Sequence, residues 1–314
     1  MRCLIIGYGS IGKRHAQILI NLGCEVTLVT SQKDLSYTCY LSIEEALEKI
    51  FFDYVIIANS THQHYDTLIE LIQCDYRGIV LVEKPLFLTA QQLPENNFSK
   101  MLVAYNLRFC DLLNQAKQLI REENLITFSA YVGSYLPLWR KDRDYRSCYS
   151  AKKEQGGGVL RDLSHELDYS IWFCGPCIEL TALGDHFSLL EITSDDAYSI
   201  LMKNEHCPMV NLQMNYLDRY PRRHIMINTT HQSLFIDLVD GLLYANGEII
   251  ARSTDRSVTY IKQHQAVLNG EFDAFCDYEQ GLYLVKLINV IESASASQTW
   301  KRDVIPAKAG IHSK

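Results

Sequence analysis

Cys3-Leu4-Ile5-Ile6-Gly7-Tyr8-Gly9-Ser10-Ile11-Gly12 is the stretch whose reading decides the fold. Four apolar residues read as a buried strand. Gly7, Gly9 and Gly12 then form a G-x-G-x-x-G turn, and Lys13 to Gly23 reads as a helix stopped by its last residue. A strand, a glycine turn and a helix in that order are the context in which this motif binds a dinucleotide. Gly7 permits the tight turn, Gly9 lets a pyrophosphate approach the backbone, and Gly12 lets helix and strand pack closely. The free N–H groups and dipole at the helix start then face the phosphates.

Outward from this stretch the first third alternates strand and helix. Glu25–Val29, Asp53–Ala58, Gly78–Val82 and Leu102–Tyr105 read as strands. Ser42-Ile43-Glu44-Glu45 is a capping box opening a helix that runs to about Ile50, and a further helix spans about His64 to Cys74. Apolar strands separated by helices predict a parallel sheet covered on both faces, with ligands beyond the strands' carboxyl ends. Those ends carry Gly7, Thr30, Asn59, Glu83 and Asn106.

Composition bounds the rest. With 314 residues there is chain enough for two domains; 47% are hydrophobic and 21% charged, as in ordinary water-soluble proteins. No apolar run approaches the ~20 residues of a membrane span, so no membrane partner is expected, and the N-terminus does not read as a signal peptide. The net charge of −7 argues against a nucleic-acid partner. The ten cysteines are scattered through apolar segments, which suits a reducing cytoplasm better than a disulfide framework. Cys174-Gly175-Pro176-Cys177 follows a helix end rather than opening one, which disfavours a redox role.

Two further constellations carry chemistry. At the end of the third apolar strand, Asn59-Ser60-Thr61-His62-Gln63-His64 places small polar groups at the cofactor edge. Its H-x-H spacing admits a metal, but a loop lying against the cofactor is the better reading, and no metal is expected. At the end of the next strand, Glu83-Lys84-Pro85 brings a lysine out of the core into the cleft, where desolvation beside a cationic nicotinamide suits it to proton transfer.

From about residue 125 the pattern changes. A helix over roughly 109–123 and a strand near 126–133 precede a long polar-aromatic loop, about 134–155. It holds Trp139, Arg140, Arg143, Tyr145, Arg146 and Tyr149. A loop of this length in a compact domain is usually functional, and aromatic content argues against disorder. Gly156-Gly157-Gly158 leads into a helix expected over 159–173, on which Asp162, His165 and Asp168 would share one face. Five strands follow between about 178 and 239, mainly antiparallel, then a closing helix over Ala274–Ser293 and a loosely ordered tail. The expected domains are 1–107, a doubly wound Rossmann sheet; 108–300, an α+β domain for substrate and oligomerisation; and the tail 301–314.

Taken in order, these pieces resemble the Gfo/Idh/MocA family of nicotinamide-dependent oxidoreductases. The resemblance rests on Gly7–Gly12 with Arg14-His15, on Asn59–His64, on Glu83-Lys84-Pro85, on Asn106-Leu107-Arg108-Phe109, and on Gly156-Gly157-Gly158 with Asp162 and His165. It covers nearly the whole chain. It implies an open, largely antiparallel second sheet and hydride transfer between NAD(P) and the C–OH or C=O of a sugar, cyclitol or nucleotide-sugar derivative. It places Lys84, Asp162 and His165 at the chemistry. At the cofactor it places Gly7, Tyr8, Gly9, Ser10, Ile11, Gly12, Arg14, Thr30, Ser31, Asn59, Ser60, Thr61, His62, His64, Glu83 and Asn106. The loop with Trp139, Arg140, Tyr145 and Tyr149 resembles a segment near nicotinamide and substrate.

Two departures qualify the resemblance. The family usually spaces the aspartate and the histidine further apart, whereas His165 follows Asp162 by three; whether Lys84 or His165 carries the proton stays open. A branch with Asp-Leu-Ser-His-Glu, associated with bacterial surface sugars and nonulosonates, shares this look. After the second strand, Thr30-Ser31-Gln32-Lys33 stands where a carboxylate would bind the ribose hydroxyls of NAD, which leans the expectation to NADP. Elimination or glycoside cleavage with transient use of the cofactor, and a non-catalytic cofactor sensor, are the alternatives. A sheet face in need of cover predicts a homodimer or homotetramer.

Overall fold

The computed structural model describes residues 1–140, 143–253, 258–302 and 304. The chain divides into two compact units, Met1–Phe109 with Ser257–Leu282, and Cys110–Arg256 with Tyr283–Lys314.

The first unit opens with β1 (Arg2–Ile6), α1 (Ser10–Asn21), β2 (Glu25–Val29), β3 (Thr38–Tyr40), α2 (Ile43–Lys49) and β4 (Tyr54–Ile57). It continues with α3 (His64–Gln73), β5 (Ile79–Val82) and β6 (Lys100–Val103). These six strands are parallel, in the order β6-β5-β4-β1-β2-β3. All of β4 and nearly all of β1 and β5 are buried, as apolar strands covered on both faces must be. Ser42 caps α2, its hydroxyl accepting the Glu45 N–H at 3.2 Å. The strand ends therefore bring Gly7, Thr30, Asn59 and Glu83 to one rim. The short edge strand β3 was not expected; its three residues carry too little apolar pattern to announce it.

The second unit contains α4 (Asp111–Leu119), β7 (Leu125–Gly133), α5 (Val159–Asp162), α6 (His165–Cys174), β8 (Cys177–Asp185), β9 (Ala197–Asn204), β10 (Cys207–Asn215), β11 (Arg222–Thr229), β12 (Ser233–Asp237), β13 (Leu242–Ala245) and β14 (Glu248–Arg252). Its sheet runs β14-β13-β12-β11-β7-β10-β9-β8, antiparallel except where β10 lies parallel to β7. The five expected strands from 178 onward are all present. One face of this sheet is core: Ile200, Leu212, Ala130, Ile225, Ile236 and Leu243 lie on it and are buried.

Residues beyond β14 are shared between the units. Helix α7 (Val258–Asn269) and strand β15 (Cys276–Asp277) belong to the first, where β15 pairs antiparallel with β6. Helix α8 (Tyr278–Ser297) replaces the expected closing helix with a shift of four residues, and β16 (Lys301–Arg302) pairs with β8. Apart from 301, 302 and 304, the expected tail lies outside the described residues.

The single helix expected over 159–173 is corrected. It is two helices, interrupted at Leu163 and Ser164. Asp162 closes one and His165 opens the next, so they do not share the face of a continuous helix. Every residue from Arg161 to Ser170 is buried, and a segment buried all round has no amphipathic period from which a break can be read.

Candidate functional site

In the first unit the glycine turn is shaped by close approach. Gly7 has φ +94°, and a Cβ on it would lie 2.6 Å from the Asn59 backbone nitrogen. A Cβ on Gly12 would lie 2.1 Å from the Gly7 carbonyl oxygen. Around Gly9 the opposite holds, with nothing within 4 Å of such an atom. Helix α1 starts there, with Gly9 as its N-cap and, among the described residues, no side-chain cap on it. Uncapped N–H groups at the positive end of the helix dipole, open to solvent beside a bare glycine, suit a phosphate.

The neighbouring strand ends add the rest. Asn59 donates its side-chain amide to Thr67 Oγ1 at 2.8 Å, while its buried Oδ1 accepts nothing from the described protein. A buried acceptor without a donor is costly alone, and a ligand donor would satisfy it. Open glycine, uncapped helix and orphaned amide oxygen together fit a dinucleotide. Gln32 closes one side, donating its side-chain amide to the Tyr8 carbonyl at 2.8 Å and its N–H to Thr30 Oγ1 at 3.2 Å. Tyr8 meets the Tyr37 ring edge-on, and Lys13 lies over Tyr8. Ser10, Ser31 and Ser60 are exposed, Ile11 is half-buried and Thr61 is buried. The Arg14 guanidinium lies over Tyr260 at 5.0 Å.

Glu83 is buried at the end of β5. Its Oε2 accepts the Lys84 N–H at 3.2 Å, and its Oε1 lies 2.9 Å from His15 Nε2. The Lys84–Pro85 peptide is cis and Lys84 is half-buried. His64 braces this turn, its Nδ1 lying 3.2 and 3.1 Å from the Pro85 and Leu86 carbonyls, to which Nδ1–H donates. Its Nε2 lies 3.3 Å from the Asn59 carbonyl, and burial holds the imidazole below its ordinary pKa. His62 is exposed while His64 is buried on backbone carbonyls, so the H-x-H pair does not converge. Asn106 is buried with its amide on Thr259 Oγ1 at 2.6 Å.

The second unit holds its own polar cluster. Asp162 accepts two phenols, Tyr149 on Oδ1 and Tyr216 on Oδ2, each at 2.6 Å. The triple glycine makes this possible. A Cβ on Gly157 would lie 2.1 Å from the Tyr149 carbonyl, and Gly158, at φ +123°, would carry its Cβ 2.3 Å from Asp195 Oδ1. Asp195 in turn accepts the Leu160 N–H at 3.0 Å, and burial pushes its carboxyl up to about 6. His165 is buried at the start of α6, and Glu166 beside it forms a two-point ion pair with Arg223, at 2.7 and 2.8 Å.

In the long loop, Trp139 meets the Tyr216 ring edge-on at 5.2 Å and donates its indole N–H to Ser134. Tyr145 accepts the Glu191 N–H on its hydroxyl, Arg140 is exposed, and Arg146 is engaged by Asp144 and Glu191. Sequence reasoning missed Tyr216, Asp195 and a buried chain from Glu83 through His15 to His264 and Tyr54. Tyr216 stood unremarked at the end of an expected strand. His264 lay in a stretch for which no element was expected.

Comparison with known proteins agrees with this architecture. A model described as the oxidoreductase family GFO/IDH/MocA, NAD-binding Rossmann fold, matches residues 1–97, and the GFO/IDH/MocA C-terminal domain matches residues 113–235. Among curated proteins none matches the chain. Among solved structures, GenD2 from gentamicin A biosynthesis, in complex with NAD, is 18% identical with TM-score 0.80, covering 96% of each chain. A levoglucosan dehydrogenase in complex with NADH is 15% identical with TM-score 0.82, covering 96% of this chain and 99% of that one. The WlbA dehydrogenase from Bordetella pertussis, in complex with NADH and UDP-GlcNAcA, is 17% identical with TM-score 0.78, covering 98% and 99%. At such identities the likeness is one of fold.

Proposed function

Because the chain belongs to the GFO/IDH/MocA family of NAD-binding oxidoreductases, we propose that it transfers hydride between a nicotinamide dinucleotide and a C–OH or C=O carbon of a sugar derivative. The observation that carries this reading is the glycine turn, open at Gly9 and closed at Gly7 against Asn59, whose buried Oδ1 awaits a donor. The dinucleotide, when bound, supplies the hydride acceptor or donor. Gly7–Gly12 and the start of α1 would hold its phosphates, and Asn59, Thr61 and Glu83 would border the rest.

Lys84 and His165 are the proposed acid–base groups. In the oxidation direction one of them removes the substrate hydroxyl proton as hydride leaves the same carbon, and reduction returns it. Asp162 is the proposed orienting carboxylate. Its two phenol donors already occupy lone pairs on both oxygens and hold the carboxylate in one orientation. Trp139, Arg140 and Tyr145 are proposed to face substrate.

GenD2 is from gentamicin A biosynthesis, and the levoglucosan and WlbA enzymes are dehydrogenases, the latter holding UDP-GlcNAcA. These neighbours support a sugar-derivative substrate, with an amino- or acidic sugar, including a nucleotide-linked one, favoured. The residues after β2 offer Thr30, Ser31 and Lys33, with no carboxylate before Asp34, which favours NADP. The neighbours' complexes contain NAD or NADH, so the choice calls for a direct test.

Thermal unfolding in NADH, NADPH and buffer decides it. Binding to the native state raises the midpoint by mass action, and the larger rise at matched concentration marks the preferred cofactor. A sugar screen by absorbance of the reduced nicotinamide follows. Substrate consumed with no net absorbance change would instead indicate elimination or glycoside cleavage. Lys84→Ala is expected to lower turnover by orders of magnitude while the cofactor-induced rise in midpoint persists; unchanged turnover would remove Lys84 from the acid–base role.

A further inference from the structure

We propose that His264 is a positioning residue that keeps His15 neutral, so that His15 does not cancel the charge of Glu83 at the cofactor rim and the pair favours the oxidised nicotinamide over the reduced one. The observation is the buried chain Glu83–His15–His264–Tyr54. His15 Nε2 lies 2.9 Å from Glu83 Oε1, His15 Nδ1 2.7 Å from His264 Nε2, and His264 Nδ1 3.2 Å from the Tyr54 hydroxyl. His15, His264 and Tyr54 are wholly buried, and Glu83 is 8% exposed.

The direction of each hydrogen follows from counting donors. The Tyr54 hydroxyl has no other acceptor among the described residues, and a buried hydroxyl hydrogen requires one. Tyr54 therefore donates to His264 Nδ1. The hydrogen of neutral His264 is then on Nε2, which donates to His15 Nδ1. The hydrogen of neutral His15 is on Nε2, which donates to the Glu83 carboxylate. All four groups are satisfied with both imidazoles neutral, and burial independently pushes His264 well below its ordinary pKa.

Protonating His15 would turn its Nδ1 into a second donor aimed at the His264 donor, and the whole chain would have to reverse, leaving the Tyr54 hydrogen with no acceptor. The charge of the Glu83–His15 pair is thus held at minus one. Around the chain the other titratable or charged groups are the Tyr260 ring, edge-on to His15 at 5.8 Å, Arg14 stacked on Tyr260, Lys84 next to Glu83 in sequence, His64 within electrostatic reach of Glu83, and Cys3, Cys24 and Tyr76 about Tyr54. None of them is a second carboxylate. A net negative pair at the rim stabilises the cationic oxidised nicotinamide relative to the neutral reduced ring. The effect on cofactor rests on the reading that Glu83 borders it; the tautomers do not.

The test uses ring 15N NMR of the purified full chain together with dissociation constants for oxidised and reduced cofactor. In wild type, His15 and His264 are expected as neutral Nε2–H tautomers. In His264→Phe, His15 loses its donor and is expected as imidazolium beside Glu83, with the preference for oxidised over reduced cofactor lowered several-fold. His264→Gln, whose amide nitrogen can donate from the position of Nε2, is expected to restore both. An imidazolium His15 in wild type, or an unchanged cofactor ratio in a folded His264→Phe protein, overturns the inference. Failure of wild type to bind either cofactor would instead overturn the proposed function while leaving the tautomer reading to the NMR result.

Discussion

Asp162 is the residue on which the second unit's cluster turns. Two phenols at 2.6 Å make short, charge-assisted hydrogen bonds, and each should contribute more than a neutral pair. Tyr216 is wholly buried and backed by Trp139, whereas Tyr149 is half-buried. Tyr216→Phe keeps the packing and removes one donor. Turnover is expected to fall roughly tenfold, the equivalent of about 1.5 kcal/mol of lost stabilisation, with cofactor affinity unchanged. Steady-state kinetics check it, and a change confined to the cofactor constant would contradict the placement. Asp195 supplies a second prediction. Burial raises its carboxyl to about 6, above the ~4 of an unfolded chain. The folded state therefore binds that proton more tightly, so this contribution is complete below pH ~4 and is lost as pH rises toward 6. The shift corresponds to about 3 kcal/mol. Asp195→Asn retains an acceptor for the Leu160 N–H and removes the titration. Urea midpoints for wild type and variant are expected to converge as pH falls from 7 to 4.5, with the variant the more stable at 7.

At the scale of elements, what was legible depended on local signals. The β1–glycine–α1 unit announced itself because a buried strand, a turn needing bare glycines and a helix leave distinct residue types in ten positions. Ser42 with Glu45 marked the start of α2 for the same reason: the cap is a local hydrogen bond. Ser42→Ala is expected to cost about 1 kcal/mol in urea unfolding, and a change under a few tenths would show the cap to be incidental. Elements held by distant partners left no such trace. The break at Leu163–Ser164 sits in a segment buried on all sides. Strand β15 is two residues long and exists by pairing with β6, from which it is separated by most of the chain. Helix α7 has apolar residues without a clean period, because His264 and Gln263 face the interior where leucines would be expected. The same fact hid the Glu83–His15–His264–Tyr54 chain. Glu83 and His15 stood inside motifs, but their partner came from a stretch that carried no motif.

For the whole molecule, the open face of the second sheet poses a packing question. Thr181, Leu201, Asn211, Ser129, Met226, Phe235 and Tyr244 lie opposite one another across seven adjacent strands, on the face away from the core. Leu201 is 39% exposed and Met226 45%, with Phe235 and Tyr244 half-exposed beside them. Nearby Met209 and Leu183 are exposed as well. A run of large apolar side chains on an exposed sheet face is a surface that monomeric proteins usually avoid, while polar Asn211, Ser129 and Thr181 on the same face would let a partner bond as well as bury. A two-fold axis through the face would match it to itself, the commonest form of protein association. The reading proposed here is a homodimer or homotetramer assembled through this face. Light scattering after gel filtration is expected to give a multiple of the 36.1 kDa chain mass. Leu201→Glu with Met226→Glu places like charges on both copies of the interface and is expected to yield the single-chain mass with an unchanged circular dichroism spectrum. A wild-type mass of one chain would refute the assembly, and a double variant that stays oligomeric would move the interface to another surface.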